Sequence, residues 1–184
     1  MDMQIFKGEL VRLTASISDK DAETLASWSR DSEFQRLLDD DPAQPRSVKK
    51  VKEEIEEEPK HDRFPFLIRT LADDRLIGFV GLGGVRWTHR DAWVGIGLGD
   101  REYWGKGYGT DAMRVVLRYA FAELNLHRVT LGVFEYNARA IRSYEKAGFV
   151  VEGRSKQEVL RDGRRWDGIY MGILRDEWEK KRNE

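Results

Sequence analysis

Between Gly95 and Gly109 the sequence reads GIGLGDREYWGKGYG, six glycines in fifteen residues. The first three alternate with Ile96 and Leu98, so one face of a strand-like run carries no side chains. The last three, Gly105, Gly107 and Gly109, lie in a turn that opens into a helical pattern from about Thr110 to Leu124. Glycine weakens a strand interior; close approach of a ligand and a β-bulge each account for Gly95, Gly97 and Gly99. In the turn the physical consequence is sharper. The first amides of a helix have no intrahelical partner, and without side-chain cover they form an anion site. Glycine lets those amides approach a ligand closely and adopt unusual dihedrals. Lys106 adds a point charge.

Two familiar nucleotide motifs do not fit this stretch. A P-loop needs four residues between its first glycine and Gly-Lys, then a hydroxyl residue; here Gly99 is followed by five residues and Lys106 by Gly107. A dinucleotide fingerprint needs Gly-x-Gly-x-x-Gly, and the turn has Gly-x-Gly-x-Gly. An anion-binding turn and a purely structural strand-to-helix turn are the readings left.

The remaining chemistry is bounded by composition. A chain of 184 residues is long enough for one domain, 1–184, with a sizeable core. With 32 basic and 33 acidic residues the net charge is −1, which argues against a nucleic-acid groove. The absence of cysteine excludes disulfides, thiolate metal sites and a cysteine nucleophile. His61, His89 and His127 are scattered, so no metal constellation is visible. No apolar run approaches the roughly 18 residues of a membrane span, and a soluble cytoplasmic protein is expected.

Hydrophobic periodicity predicts the order of elements. GELVRLTA (8–15) reads as an opening strand. A helical segment follows, with Ser18 as N-cap and Ala22, Leu25 and Trp28 at helical spacing. After Pro42 and Pro45, Val48, Val51 and Ile55 form a narrow stripe on a charged helix. Three strand runs come next, joined at Asp73-Asp74 and at THRD. After the glycine turn and its helix, Val129, Leu131 and Val133 mark a strand. NARAIRSYEKAGF is a helix capped by Asn137 and ended by Gly148. Two strands joined by RDGR close the chain. This is an α/β (α+β) arrangement that lacks the alternation of a doubly wound fold.

YWGKGYGTDA followed some thirty residues later by NARAIRSYEKAGF resembles the GNAT superfamily of N-acetyltransferases, in its RimJ/RimL-like branch. The family's Arg/Gln-x-x-Gly-x-Gly/Ala turn is matched from Trp104 through Gly107 and Gly109. Its Asn-x-x-Ala/Ser-x-x-x-Tyr-x-x-x-Gly-Phe motif is matched by Asn137, Ala140, Tyr144, Gly148 and Phe149. The resemblance implies a mixed, mostly antiparallel sheet of about seven strands, with a splayed central pair and about four flanking helices. It implies acetyl-CoA as co-substrate and no metal. The diphosphate would rest on the amides of Gly105, Lys106, Gly107, Tyr108, Gly109 and Thr110, with Trp104 beside them. The pantetheine arm would pair with Ile96, Gly97 and Leu98 and run past Asn137, Ala140 and Tyr144. Asn137 and Tyr144, seven residues apart, share one helical face at a separation of roughly 10 Å. Tyr144 matches the family's proton donor to the departing thiolate. A phenol near pKa 10 protonating a thiolate whose thiol has pKa near 8.5 works uphill by about 2 kcal/mol, so a hydrogen bond to the developing charge suffices. Such domains often pair, which makes a homodimer one expectation.

Two departures from the family pattern matter. Trp104 stands where Arg or Gln is usual, as tryptophan does in the RimJ/RimL-like branch, so phosphate binding has less side-chain help; and the strand AWVGIGLG has no carboxylate to act as base. Asp91, His89, Glu33 or water would take the amine's proton. Without cysteine, the bound amine attacks the acetyl carbonyl directly, with a backbone N–H near Leu98 polarising it. A site without an evident base suits an α-amine, near pKa 8, better than a lysine-like amine near 10.4. A peptide N-terminus or a small-molecule amine is therefore the expected acceptor. The acidic runs Asp39-Asp40-Asp41 and Glu53 to Glu58 instead favour a polyamine, if they are more than solvated faces. Trp28, Phe34, Trp87 and Trp166 are candidate acceptor-lining aromatics. A non-catalytic acetyl-CoA-binding module is the rival reading, motivated by the missing base.

Overall fold

The sheet is built where β-branched and aromatic residues alternate, and its description comes from a computed structural model covering residues 4–15, 18–56 and 61–182. The Ile55 side chain of the expected stripe, and Glu56, Glu57 and Glu58 at the end of the acidic run, lie outside the described side chains. The strands are β1 (Val11–Thr14), β2 (Phe64–Thr70), β3 (Leu76–Arg86), β4 (Asp91–Leu98), β5 (Arg128–Phe134), β6 (Val150–Arg161) and β7 (Arg164–Leu174). They form one seven-stranded sheet in the order β1-β2-β3-β4-β5-β7-β6. Every neighbouring pair is antiparallel except β4 and β5.

The β4–β5 pair carries the splay. Its ladder holds at Asp91↔Arg128, Ala92↔Val129 and Trp93↔Thr130, and then stops. On their outer sides both strands stay paired, β4 as far as Gly78↔Leu98 and β5 as far as Phe134↔Gly168. The sheet therefore opens as a V from Val94 onward.

The α-helices among the described residues are α1 (Asp19–Trp28), α2 (Ser32–Leu38), α3 (Val48–Glu56), α4 (Tyr108–Arg118), α5 (Ala138–Ala147) and α6 (Arg175–Arg182), six rather than about four. The first helical segment divides because Asp31 caps a second helix, accepting from the Phe34 amide at 3.1 Å. The capping box at Ser18 forms with Asp21, whose buried carboxylate also takes the Arg69 guanidinium at 2.7 Å and ties α1 to β2. Helix α6 was not anticipated. Its Glu177 carboxylate accepts from the Leu174 amide at 2.8 Å, and Trp178 packs on Phe121. Helix α4 begins two residues earlier than its periodicity predicts and ends in a π turn, Tyr119–Glu123.

The main core lies between the sheet and α4, where Met113, Val116, Leu117 and Phe121 are fully buried against Ile77, Val80, Val129, Leu131 and Met171. On the opposite face Trp28, Phe34 and Leu76 form a second cluster with Leu38, Phe79 and Trp104. That cluster explains two glycines of β4. A Cβ on Gly99 would sit 1.9 Å from Trp28, and one on Gly97 2.8 Å from Phe79. Protein packing thus requires them, and a β-bulge does not, because the β3–β4 irregularity lies at Gly83/Arg86. Gly95 alone of the three faces open space.

The expected opening strand shortens to β1 for an electrostatic reason. Asp111, buried in the first turn of α4, accepts from the amides of Glu9 (3.1 Å), Leu10 (2.8 Å) and Val11 (3.0 Å). Those amides are lost to any ladder, and Gly8 is needed because a Cβ there would lie 2.3 Å from the carboxylate. Asp111→Ala strands three backbone donors and is expected to cost about 3 kcal/mol in denaturant unfolding, well beyond an exposed Asp→Ala control.

Candidate active site

The glycine turn adopts the unusual dihedrals its composition predicts. Gly105 and Gly107 both take positive φ, 73° and 93°, which only glycine adopts without strain. Gly107 is the N-cap of α4 and offers no side-chain acceptor. Among the described residues, no backbone carbonyl accepts from the amides of residues 105–110 either; the first such bond runs from Asp111 to Gly107 at 2.9 Å. Several donors and the positive end of α4 are left facing one place.

That place is the open V. A cavity of about 1590 Å³ runs between β4 and α5 and out across the other sheet face. Of the residues singled out in the sequence, Ile96, Gly97, Leu98, Trp104, Gly105, Gly107, Gly109, Thr110, Asn137, Ala140 and Tyr144 line it. Lys106 and Tyr108 do not. Lys106 is exposed, and the Tyr108 ring packs edge-on against Tyr103 at 4.8 Å.

Sequence reasoning missed the basic wall. Arg114, Arg139, Arg142 and Lys146 line the cavity from α4 and α5. Their spacing held the signal: Arg114 is one turn beyond Thr110, and Lys146 one turn beyond Arg142, on facing helices. The two helices are joined by Thr110 Oγ1 and Ser143 Oγ at 2.8 Å. Bare amides beside three or four guanidinium and ammonium groups suit a diphosphate with further phosphate.

Trp104 spends its polar atom elsewhere. Its indole Nε1 donates to the Leu98 carbonyl at 2.7 Å. The Arg139 guanidinium stacks over the ring at 3.6 Å, and Arg101 lies at 5.0 Å. Arg101 is held by both oxygens of Asp31 (2.6 and 2.7 Å) and by Glu33 (2.8 Å).

On α5, Asn137 caps the helix through the Ala140 amide (3.2 Å) and turns its side-chain amide to the Leu37 carbonyl (3.4 Å). Its capping role is therefore combined with a tie to α2. Tyr144 sits further along the same cavity wall, its ring against Phe149 at 6.2 Å. Burial pushes the phenol up to about 12, partly offset by the charge of Arg139. Against a thiol of ordinary pKa, full proton transfer from such a phenol is about 5 kcal/mol uphill. A strong hydrogen bond to a departing thiolate is the chemistry it can perform.

The expected bases do not reach the cavity. Asp91 pairs with Arg86 at 2.5 Å, which holds its carboxyl below the usual range; Glu33 pairs with Arg101; His89 lies in the β3–β4 turn. The carboxylates that do line the cavity are Glu9, Asp39, Glu54 and Asp111, among the described residues. Asp111 is committed to β1, and Glu54 pairs with Arg46 at 2.8 Å. Asp39, at the end of α2, is raised above its ordinary pKa, first by burial and also by the charges of Asp41 and Asp40. Of the four aromatics, Trp28 and Phe34 line the main cavity, Trp87 lines a separate one of about 720 Å³, and Trp166 lines neither.

Comparison with known proteins agrees with this geometry. Residues 12–150 match the acetyltransferase (GNAT) domain family. The probable N-acetyltransferase YjcK of Bacillus subtilis is 39% identical over 133 residues, 72% of this chain and 73% of its own. The spermidine N(1)-acetyltransferase of Vibrio cholerae is 36% identical over 107 residues, 58% of this chain and 61% of the relative. A crystal structure of spermidine N-acetyltransferase from Vibrio cholerae, in complex with CoA and spermine, superposes with a TM-score of 0.80 at 26% identity, covering 92% of this chain and 98% of that one. The chain belongs to the GNAT acetyltransferase family and is an acetyl-CoA-dependent N-acetyltransferase.

Proposed function

We propose that residues 1–184 act as one cytoplasmic acetyltransferase domain of the RimJ/RimL-like kind, moving the acetyl group of acetyl-CoA to a primary amine. The observation that carries this reading is the set of uncovered amides at the start of α4, opening into the cleft where β4 leaves β5. The diphosphate is assigned to residues 105–110, and the pantetheine arm to Ile96, Gly97 and Leu98. The amine nitrogen attacks the carbonyl carbon, the C–S bond breaks, and Tyr144 hydrogen-bonds the leaving thiolate. The amine's proton passes to solvent, or to Asp39 on the cavity wall. A peptide N-terminus or small-molecule amine is the acceptor. A polyamine is the second reading, supported by Asp39 and Glu54 in the wall and by the spermidine acetyltransferases among the relatives.

Thiol release from acetyl-CoA with a panel of α-amino peptides, amino acids and polyamines tests the proposal; CoA binding without release for every amine would leave only a binding module. Tyr144→Phe is expected to lower kcat by about thirtyfold while CoA affinity changes less than twofold; equal rates would remove Tyr144 from the chemistry. The raised phenol pKa also sets the pH profile. Because the neutral, donating form persists to about 12, activity rises as the acceptor amine deprotonates and shows no falling limb from Tyr144 below pH ~11. Replacing Arg114 and Lys146 together by Ala is expected to raise the KM for acetyl-CoA roughly tenfold with kcat unchanged. The loss should be smaller for a substrate lacking the 3′-phosphate.

A further inference from the structure

We propose that Trp104 is a positioning residue for the acyl-transfer step, acting through the Leu98 carbonyl to aim the Leu98 N–H at the acetyl oxygen. The inference rests on the acetyltransferase reading above and replaces the phosphate role expected of this position.

The direction of the Leu98 amide follows from the ladder. Gly99 donates to the Ile77 carbonyl at 3.1 Å, so Ile77 and Gly99 face each other through hydrogen bonds. In antiparallel pairing, hydrogen-bonded and non-hydrogen-bonded pairs alternate. The adjoining pair Gly78↔Leu98 is therefore the non-bonded one, and the Leu98 N–H and C=O both point away from β3. Among the described residues, no strand pairs with that edge beyond Trp93↔Thr130, so both groups face the cleft. The Ile96 groups, two residues back, share that edge.

The carbonyl half of this pair is held by the indole at 2.7 Å. The N–H half belongs to the same strand edge and points into the same cleft. The carbonyl belongs to the peptide unit 98–99 and the N–H to unit 97–98, so the restraint passes through φ and ψ of Leu98, which the flanking pairs Phe79↔Gly97 and Ile77–Gly99 hold extended. The indole is itself immobilised. It belongs to the cluster of Trp28, Phe34, Leu38 and Phe79, with Arg139 stacked on its face. Arg139 comes from α5, one turn and a residue before Tyr144. One ring thus sets the strand that polarises the carbonyl relative to the helix that meets the thiolate. Arg or Gln at this position would be free to turn toward phosphate; an indole with one donor, wedged in an apolar cluster, is not.

The test removes the N–H and keeps the ring: Trp104→benzothienylalanine, in which sulfur replaces the indole nitrogen. Expected are a kcat lowered about tenfold, a KM for acetyl-CoA within twofold, an unchanged melting temperature, and a displaced Leu98 amide resonance in the 15N spectrum. Parent-like kcat and Leu98 resonance would overturn the proposal, as would a lower kcat, a higher KM and a lower melting temperature appearing together. Arg139→Met, which removes the stacked cation from outside the cluster, is expected to move kcat and the Leu98 resonance in the same direction by less. Should the parent release no thiol with any amine, the acetyltransferase reading falls, and the Leu98 resonance on titration with CoA alone then decides the positioning role.

Discussion

The parting of β4 from β5 after three paired positions is the constraint on which everything else depends. Breaking a sheet at its centre leaves a row of main-chain donors and acceptors without partners, which a protein interior does not tolerate. Here the exposed edge lines a solvent-reaching cleft, so its groups remain available rather than orphaned. The same parting makes room for α4 to aim its first turn at the cleft mouth, and for α5 to form the opposite wall. One topological event, a parallel pair abandoned early inside an antiparallel sheet, thereby places a strand edge, a helix N-terminus and a tyrosine around one volume.

Three devices hold the V at a fixed width. Thr110 and Ser143 bridge α4 to α5. Asn137 and Tyr136 reach back to the Leu37 and Arg36 carbonyls, fastening α2 to the β5–α5 junction. Trp104 spans from the glycine turn to Leu98, beneath Arg139. Each joins segments about thirty or more residues apart, except the last, which closes a six-residue loop. The cleft is consequently a rigid groove made of regular elements, with the adaptable chemistry confined to its lining.

Much of this was legible in the chain. Asn137 and Gly148 bracket α5 because a cap and a left-handed terminator act locally. The β6–β7 hairpin follows from Asp162 and Gly163, both at positive φ, as a two-residue turn demands. The bare turn before α4 announces itself by glycine alone. What escaped reading was long-range. Asp111 looks like an ordinary first-turn acid until β1 arrives 100 residues away to use it. Gly97 and Gly99 look like ligand clearance until Phe79 and Trp28 fill the space. Glu33, His89 and Asp91 were plausible bases by type, yet arginines or turn geometry hold them outside the cavity. Arg114 and Lys146 were one turn from recognition, but only the packing of α4 on α5 turns them to the same wall.

The buried Asp111 carboxylate sits in the first turn of α4, beside the uncovered amides at its start. Three main-chain hydrogens, from Glu9, Leu10 and the first residue of β1, Val11, quench it. Residues 9–11 thereby act as a remote shield for the start of α4: trimming them away would unmask a negative charge beside its uncovered amides.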